Sequence, residues 1–426
     1  MRILIHFIPL LVFVSLYVGA GIYFSLTGVQ NAFYQLSPAV AIIPAIAVGW
    51  FLTKGSTQER MTSFLEGVRH RDIITMCLIF LLAGAFGTVT SAIGSVDATV
   101  NLALSHIPPQ FLLIGLFLIG AFISTAIGTS MGTIATLAPL AASLAAQGAI
   151  SPTIGMATVI SGAMFGDSLS MISDTTIAAV MSQEADLRAK LKLNAQVASV
   201  AALITLVILF FSQESSISVA AKPYDLWLIT PYIFLISLAL LGVNVFVVLV
   251  LSIGMAGLVG FSHHGYDVIA LSKDMAKGFV SMHDIMLLSL LVGGLSGLTG
   301  KGSEKLGLIL STWLSKHGGQ HSAQLVIGKM VSVFDLLLAN NTVAIIFSGQ
   351  MARDIAKKHK IPPHYSATWL DTFSCTFQGI IPYGAQVLLA SAIGGISPLS
   401  LMPHVYFCYA LGVVSVGFIL FRKVRG

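Results

Sequence analysis

The sequence predicts an all-α polytopic membrane protein, and three observations carry that expectation. Of 426 residues, 56% are hydrophobic and only 9% are charged. An ordinary soluble domain carries about 25% charged residues, and the mean hydropathy here is +0.91. Apolar runs long enough to cross about 30 Å of hydrocarbon recur along the whole length. The alternating pattern of a β-barrel is absent, so helices must satisfy the backbone in lipid. The longest polar stretches are short loops, and no soluble domain is visible.

The elements follow from the N-terminus. Met1–Leu26 reads as a retained first helix, because no small-residue cleavage site precedes a hydrophilic start. Basic residues then mark cytoplasmic loops. Lys54, Arg60, Arg69 and Arg71 form one group, and Arg188, Lys190 and Lys192 a second. Arg353, Lys357, Lys358 and Lys360 form a third, and Arg422, Lys423 and Arg425 the tail. Thr27–Gln35, Asp97–Gln110 and Gln213–Pro223 hold almost no Lys or Arg and read as outer loops. Spans are expected at 3–26, 36–53, 73–95, 153–182 and 195–212, then at 225–241, 243–262, 284–299, 366–394 and 399–421. Both termini fall in the cytoplasm, and the membrane is read as the bacterial inner (cytoplasmic) membrane. The net charge of +5 is assigned to these loops and not to nucleic-acid binding. Cys77, Cys375 and Cys408 are scattered in apolar runs and read as small packing residues.

Two apolar segments remain, 109–149 and 322–350. Loop parity requires each to enter and leave on one side, as a re-entrant hairpin or a close helix pair. The result is five spans and one hairpin, twice, in opposite orientation: residues 1–212 and 213–426 as inverted-topology repeats with broken helices at the midplane. Lys273 and Lys277 count against the scheme, because it leaves them outside. Internal similarity supports it. Asp167-Ser168-Leu169-Ser170 is followed by Asp174 seven positions after Asp167, and Asp371-Thr372-Phe373-Ser374 by Gln378 at the same spacing. Each lies downstream of a segment with a polar break, "GTSMGT" (Gly128–Thr133) or "ANNTVA" (Ala339–Ala344).

Of 17 carboxylates, only Asp167, Asp174, Asp335 and Asp371 fall deep within apolar runs. A charge at the bilayer centre costs about 2.5–3.5 kcal/mol on insertion scales, so such groups face a cavity or a partner and are functional candidates. Asp335 either pairs with Lys329 or is left alone while Lys329 extends to the cytoplasmic surface. Asp167, Asp174 and Asp371 have no basic residue nearby in sequence and are expected to hold a proton or a cation. Ser173, Thr175, Thr129, Ser130, Asn340, Asn341, Thr342 and Gln378 surround them with hard oxygen donors suited to Na⁺. Asp174 and Asp371 are the expected carboxylate ligands of a transported Na⁺, which is cargo and not a resident metal. No cofactor is expected. Histidines such as His263, His264, His317 and His321 sit at loop edges and read as interfacial. No HExxH, P-loop or dinucleotide fingerprint appears, which argues against an enzyme or an ATP-driven pump.

"GTSMGTIATLAP", "GDSLSMISDTT", "ANNTVAII" and "LDTFSCTFQGIIPYGAQ" together resemble the NhaC-type sodium/proton antiporter family of the wider ion-transporter superfamily. The similarity runs over roughly 35–420. It implies secondary transport, two re-entrant hairpins with tips at Gly128–Thr133 and Ala339–Thr342, and a homodimer with a mobile transport domain. It also implies that Asp167–Thr176 and Asp371–Gln378 flank the site on broken helices. Ser168 and Met171 depart from the family pattern, where a basic residue and a proline are common. The expected function is exchange of a monovalent cation, Na⁺, against H⁺. The alternative is an amino-acid or organic-anion transporter driven by H⁺ or Na⁺, with the small organic solute's carboxylate held by backbone amides at half-helix N-termini.

Overall fold

Every regular element among the described residues is helical. The computed structural model describes the chain except residues 1–7, 28, 30–34, 172, 213–221, 242, 263–265, 315–318 and 423–426. The outer loop at 213–221, His263, His264, His317 and the tail residues Lys423 and Arg425 lie outside the described residues.

The first half holds α1 (Ile8–Leu26), α2 (Pro38–Leu52), α3 (Thr57–Val68), α4 (Arg71–Ala92), α5 (Ser95–His106), α6 (Leu112–Ile127), α7 (Ser130–Ala146), α8 (Pro152–Leu169), α9 (Asp174–Gln183) and α10 (Leu187–Ser212). The second half holds α11 (Thr230–Leu240), α12 (Val245–Phe261), α13 (Val268–Ser281), α14 (His283–Leu314), α15 (Gln320–Leu338), α16 (Asn341–Lys358), α17 (Pro363–Gln378), α18 (Ala385–Gly394), α19 (Pro398–Leu401) and α20 (Tyr406–Phe421). Among the described residues, four helices are long and apolar enough to cross a membrane, or six if each of two bent pairs counts as one span. The chain is therefore an all-α polytopic membrane protein.

Four regions correct the sequence reading. The basic loop holding Arg60 contains α3, started by a capping box in which Ser56 accepts from the Glu59 N–H and Glu59 accepts from the Ser56 N–H. The segment 97–110, expected as an outer loop, is largely α5, bent 112° from the helix that follows it. Lys273 and Lys277 lie in no loop: they sit on α13, within an apolar stretch running Val268–Thr299. Lys277 is held there by Asp274 at 2.7 Å. Finally, α10 starts at Leu187, so Lys190 lies on a membrane helix, fully buried, while Arg188 and Lys192 face outward.

The expected breaks are present. Residues 153–182 divide into α8 and α9 around Ser170–Ser173, and 366–394 divide into α17 and α18 around Gly379–Gly384. The segment 109–149 divides into α6 and α7, and 322–350 into α15 and α16. The two divisions share one backbone turn. Gly128 (φ 77°) and Ala339 (φ 50°) are left-handed caps, followed by extended Thr129 (φ −148°) and Asn340 (φ −149°). An alanine in the left-handed region is strained by about 1–2 kcal/mol. Its carbonyl and amide are both tied, with the Ala339 N–H donating to the Asp335 carbonyl at 2.7 Å and the Ala339 carbonyl accepting from Gln378.

Packing interleaves the two halves. Helices α7–α10 pack with α16–α18 and α20, and α2–α4 pack with α12 to α14. Small residues allow backbones to touch. A Cβ at Gly166 would lie 2.4 Å from the Ser124 Cβ and 2.5 Å from the Ala121 carbonyl, which is how closely α8 meets α6. Ser124 Oγ closes that seam by donating to the Ala163 carbonyl at 2.6 Å. A Cβ at Gly84 would lie 2.3 Å from the Gly278 carbonyl, where α4 meets α13.

Candidate functional site

Broken helices put polar backbone and side chains inside an apolar bundle, and here the breaks converge. The N-terminal ends of α7, α9 and α16, the N-cap Asn244 of α12 and the C-caps Gly128 and Ala339 border one cavity of about 240 Å³. Asp167, Ser173, Asp174, Thr175, Thr129, Ser130, Asn340, Asn341, Thr342 and Gln378 all line it. Asp371 does not.

Asp167, on the last turns of α8, is 4% exposed. It accepts from Ser173 Oγ at 2.6 Å and from Ser130 Oγ at 3.1 Å. Ser173 in turn shares a hydrogen bond with Thr175 Oγ1 at 2.8 Å. From Ser130 the network continues across the bundle. Gln386 Nε2 donates to Ser130 Oγ at 3.1 Å, and Gln378 Nε2 donates to Gln386 Oε1 at 2.7 Å. Gln378 Nε2 also reaches the Ala339 carbonyl at 3.4 Å. One chain of hydrogen bonds therefore joins the α6–α7 and α15–α16 turns and the breaks α8–α9 and α17–α18 to a single carboxylate, whose hydrogen-bond partners are both neutral. Asp174 opens α9 on the exposed side of the cavity, where its charge faces the positive end of the helix. Asn340 caps α16 by accepting from the Val343 N–H at 3.0 Å. Among the described residues, two fully buried side-chain atoms of the lining residues lack hydrogen-bond partners: the Asn341 Nδ2 donor and the Gln378 Oε1 acceptor.

Asp371 has a different environment, and it corrects the expectation of a carboxylate without a basic partner. Its Oδ2 lies 2.5 Å from Lys190 Nζ, and both side chains are fully buried. Asn194 Nδ2 donates to the same oxygen at 2.7 Å and to the Ser168 carbonyl at 2.9 Å. Lys190 also donates to Thr176 Oγ1 at 2.7 Å. This cluster braces both broken helices from behind the cavity. The charge was hidden by position: Lys190 sits between Arg188 and Lys192, and all three look like a loop. Helical spacing was the available signal, since Lys190, Asn194, Val197, Ala198 and Ala201 form one buried face of α10. Asp335 and Lys329 do not pair. Lys329 is exposed, and both oxygens of the fully buried Asp335 lack a hydrogen-bond partner among the described residues, although the Gln378 backbone comes near.

Sequence reasoning also missed Gln386, Asn244 and Arg71. Gln386 closes the quoted "GIIPYGAQ" stretch. Arg71 had been counted as a loop charge, but it begins α4 and lines the cavity. Arg71, Asp174 and Thr342 also line a second, wider cavity of about 610 Å³, so the two spaces adjoin. A third cavity of about 630 Å³, lined by Asp97, Ser143, Asp274 and Lys277, shares no lining residue with the central one. Among the described residues no three His, Cys, Asp or Glu side chains converge as a metal cluster. The oxygens at the cavity are of mixed kind: carboxylate, hydroxyl and amide.

The sequence pattern of the Na⁺/H⁺ antiporter family matches residues 2–213. The chain is 24% identical to the Na⁺/H⁺ antiporter NhaC of Bacillus subtilis over 415 residues, covering 89% of this chain and 90% of that protein. It is 22% identical to the malate-2H⁺/Na⁺-lactate antiporter of the same organism, covering 87% and 88%. Among solved structures, Neisseria gonorrhoeae MtrF, described as illuminating a class of antimetabolite efflux pumps, aligns with a TM-score of 0.43 at 12% identity, covering 86% of this chain and 85% of that one. The chain is thus related at the family level to the Na⁺/H⁺ antiporters, a relation consistent with transport and not with enzymatic turnover.

Proposed function

We propose that this secondary transporter exchanges Na⁺ for protons at the central cavity. One observation carries the reading: Asp167 is a buried carboxylate whose hydrogen-bond partners, Ser130 and Ser173, are neutral hydroxyls. A carboxylate so placed is neutralised by a proton or a cation, and Asp167 lines the cavity from which either could reach it. A proton and a Na⁺ compete for the same oxygens, and mutual exclusion combined with alternating access is sufficient for exchange. Asp174, Thr129, Thr175, Asn340 and Thr342 complete the oxygen shell. Asp371 is assigned a supporting role, because Lys190 already neutralises it.

The architecture proposed with this function is the pair of inverted repeats, 1–212 and 213–426, in the inner membrane with both termini inside. The matching turns at Gly128–Thr129 and Ala339–Asn340 favour it. The end of the cavity at Arg71 is then cytoplasmic, and the adjoining wider cavity is the inward path. The separate cavity by Asp97 and Lys277 is the outward vestibule, closed from the site in this state. The homodimer rests on the family resemblance.

The test is reconstitution with a trapped pH dye. With a proton gradient imposed, adding Na⁺ or Li⁺ should drive proton efflux that protein-free liposomes lack. Folded, inserted protein that answers no monovalent cation overturns the exchange reading.

A further inference from the structure

Helix α10 carries its exposed charges on one stripe. Arg188, Lys192 and Gln196 follow one another at four-residue spacing, and all three are exposed. Val200, Leu203, Val207 and Phe211 continue the same face and are exposed as well. The stripe is thus basic and polar at its start and apolar from there on. Helix α20 packs along α10 and ends beside the basic start, where Arg422 Nη1 donates to Gln196 Oε1. The same guanidinium lies over the Phe418 ring, 5.8 Å from its centroid. Two contacts therefore hold a side chain whose charge persists at any working pH. Asp186, just before the basic residues, is already engaged: its Oδ1 accepts from the Ala189 N–H at 2.8 Å. Val413, Leu420 and Phe421 of α20 are exposed and apolar. Helix α12 is built differently. It exposes Phe246, Val247, Val250, Leu251 and Leu258, and no Lys or Arg occurs from Asn244 to Ser262.

We infer that the α10–α20 face binds an anionic phospholipid, with the phosphate at Lys192 and Arg422 and the acyl chains along Val200, Leu203 and Val207. A guanidinium has five N–H donors, of which Gln196 takes one, and its planar fork suits a phosphate. Lys192, one turn before Gln196, adds a flexible point charge. From Gln196 to Val207 the helix rises about 16 Å, close to the depth of one hydrocarbon leaflet, about 15 Å. Headgroup and tails thus meet matching surface along a single stripe. The contacts that hold Arg422 reduce the freedom it loses on binding. The site stands independently of what the central cavity carries.

The purified full-length protein in neutral detergent is melted with increasing phosphatidylglycerol. Phosphatidylcholine with the same chains serves as the zwitterionic lipid, and glycerol phosphate as a headgroup without chains. Each protein's melt without lipid is its own reference, so a variant's intrinsic loss of stability cancels. Phosphatidylglycerol should raise the melting temperature saturably, and the other two should leave it unchanged. In Lys192→Gln/Arg422→Gln the half-saturating phosphatidylglycerol concentration should rise about 30-fold, the combined effect of two basic residues at an anionic headgroup. Lys357→Gln/Lys358→Gln removes the same charge from the exposed end of α16 and should respond like wild type. Equal stabilisation by phosphatidylcholine or by glycerol phosphate overturns the site, as does an unchanged response in the Lys192/Arg422 variant. An equal loss in both double variants also overturns it, by reducing the effect to general surface charge. Light scattering separates lipid from a second copy of the chain: a Lys192/Arg422 variant that changes in mass while answering phosphatidylglycerol like wild type assigns the face to the copy, and the lipid site falls.

Discussion

Replacing Lys190 with methionine should destabilise the protein by about 3–5 kcal/mol, the usual cost of stranding one member of a buried ion pair. Lys190 and Asp371 are both fully buried, 2.5 Å apart. Removing the ammonium leaves Asp371 with the Asn194 amide and the weak Cys375 thiol donor. It also removes the donor to Thr176 on α9. Thermal unfolding of the detergent-purified protein reads the loss, with Lys192→Met on the exposed side of the same helix as control. The double variant Lys190→Met/Asp371→Leu should recover most of it, because apolar side chains that fill the same space often equal or better a buried pair. A single variant as stable as the control would show that the pair does not brace the bundle.

Asp167→Asn should reduce Na⁺-evoked proton movement to the level of empty liposomes. Asparagine occupies nearly the same volume, so the fold is retained while the titrating oxygen is lost. Asp174→Asn should be milder. Asp174 is exposed at the cavity, where solvent screens its charge. Loss of one screened charge should weaken apparent Na⁺ affinity about tenfold without abolishing exchange. Equal effects of the two substitutions would shift the exchange site toward the cavity mouth.

Much of this arrangement was legible in the sequence because polar groups stand out against an apolar background. The breaks at Gly128 and Ala339, and the hydroxyls around Asp167, announce themselves by interrupting hydrophobic runs. Basic residues were harder to place. Counting Lys and Arg as loop markers places Arg188 and Lys192 in a loop, whereas both sit on the first turns of α10 and face outward. The same rule put Lys190 and Arg71 in loops, although one is buried against Asp371 and the other lines the cavity. Only the 3.6-residue period of α10 separates Lys190 from its neighbours, and its partner lies 181 residues away. Amphipathic helices were missed for the opposite reason. Helix α3 carries too many polar residues to stand out by hydropathy, although its Ser56–Glu59 capping box marks its start. Helix α13 likewise begins at a cap, where Asp267 accepts from the Ala270 N–H at 2.8 Å. The different surroundings of Asp167 and Asp371 could not be read from their similar motifs, because they are made by Lys190 and Asn194 on another helix.

The central claim is that Na⁺ and a proton exclude one another at Asp167. The most direct test is proton release on Na⁺ binding, measured with a pH indicator in weakly buffered detergent solution at a pH where wild type is active. Wild-type protein should release protons as Na⁺ is added, saturating with Na⁺ occupancy, and Asp167→Asn should release none. Saturable Na⁺ binding by wild type with no proton release, or release that survives Asp167→Asn undiminished, would contradict it.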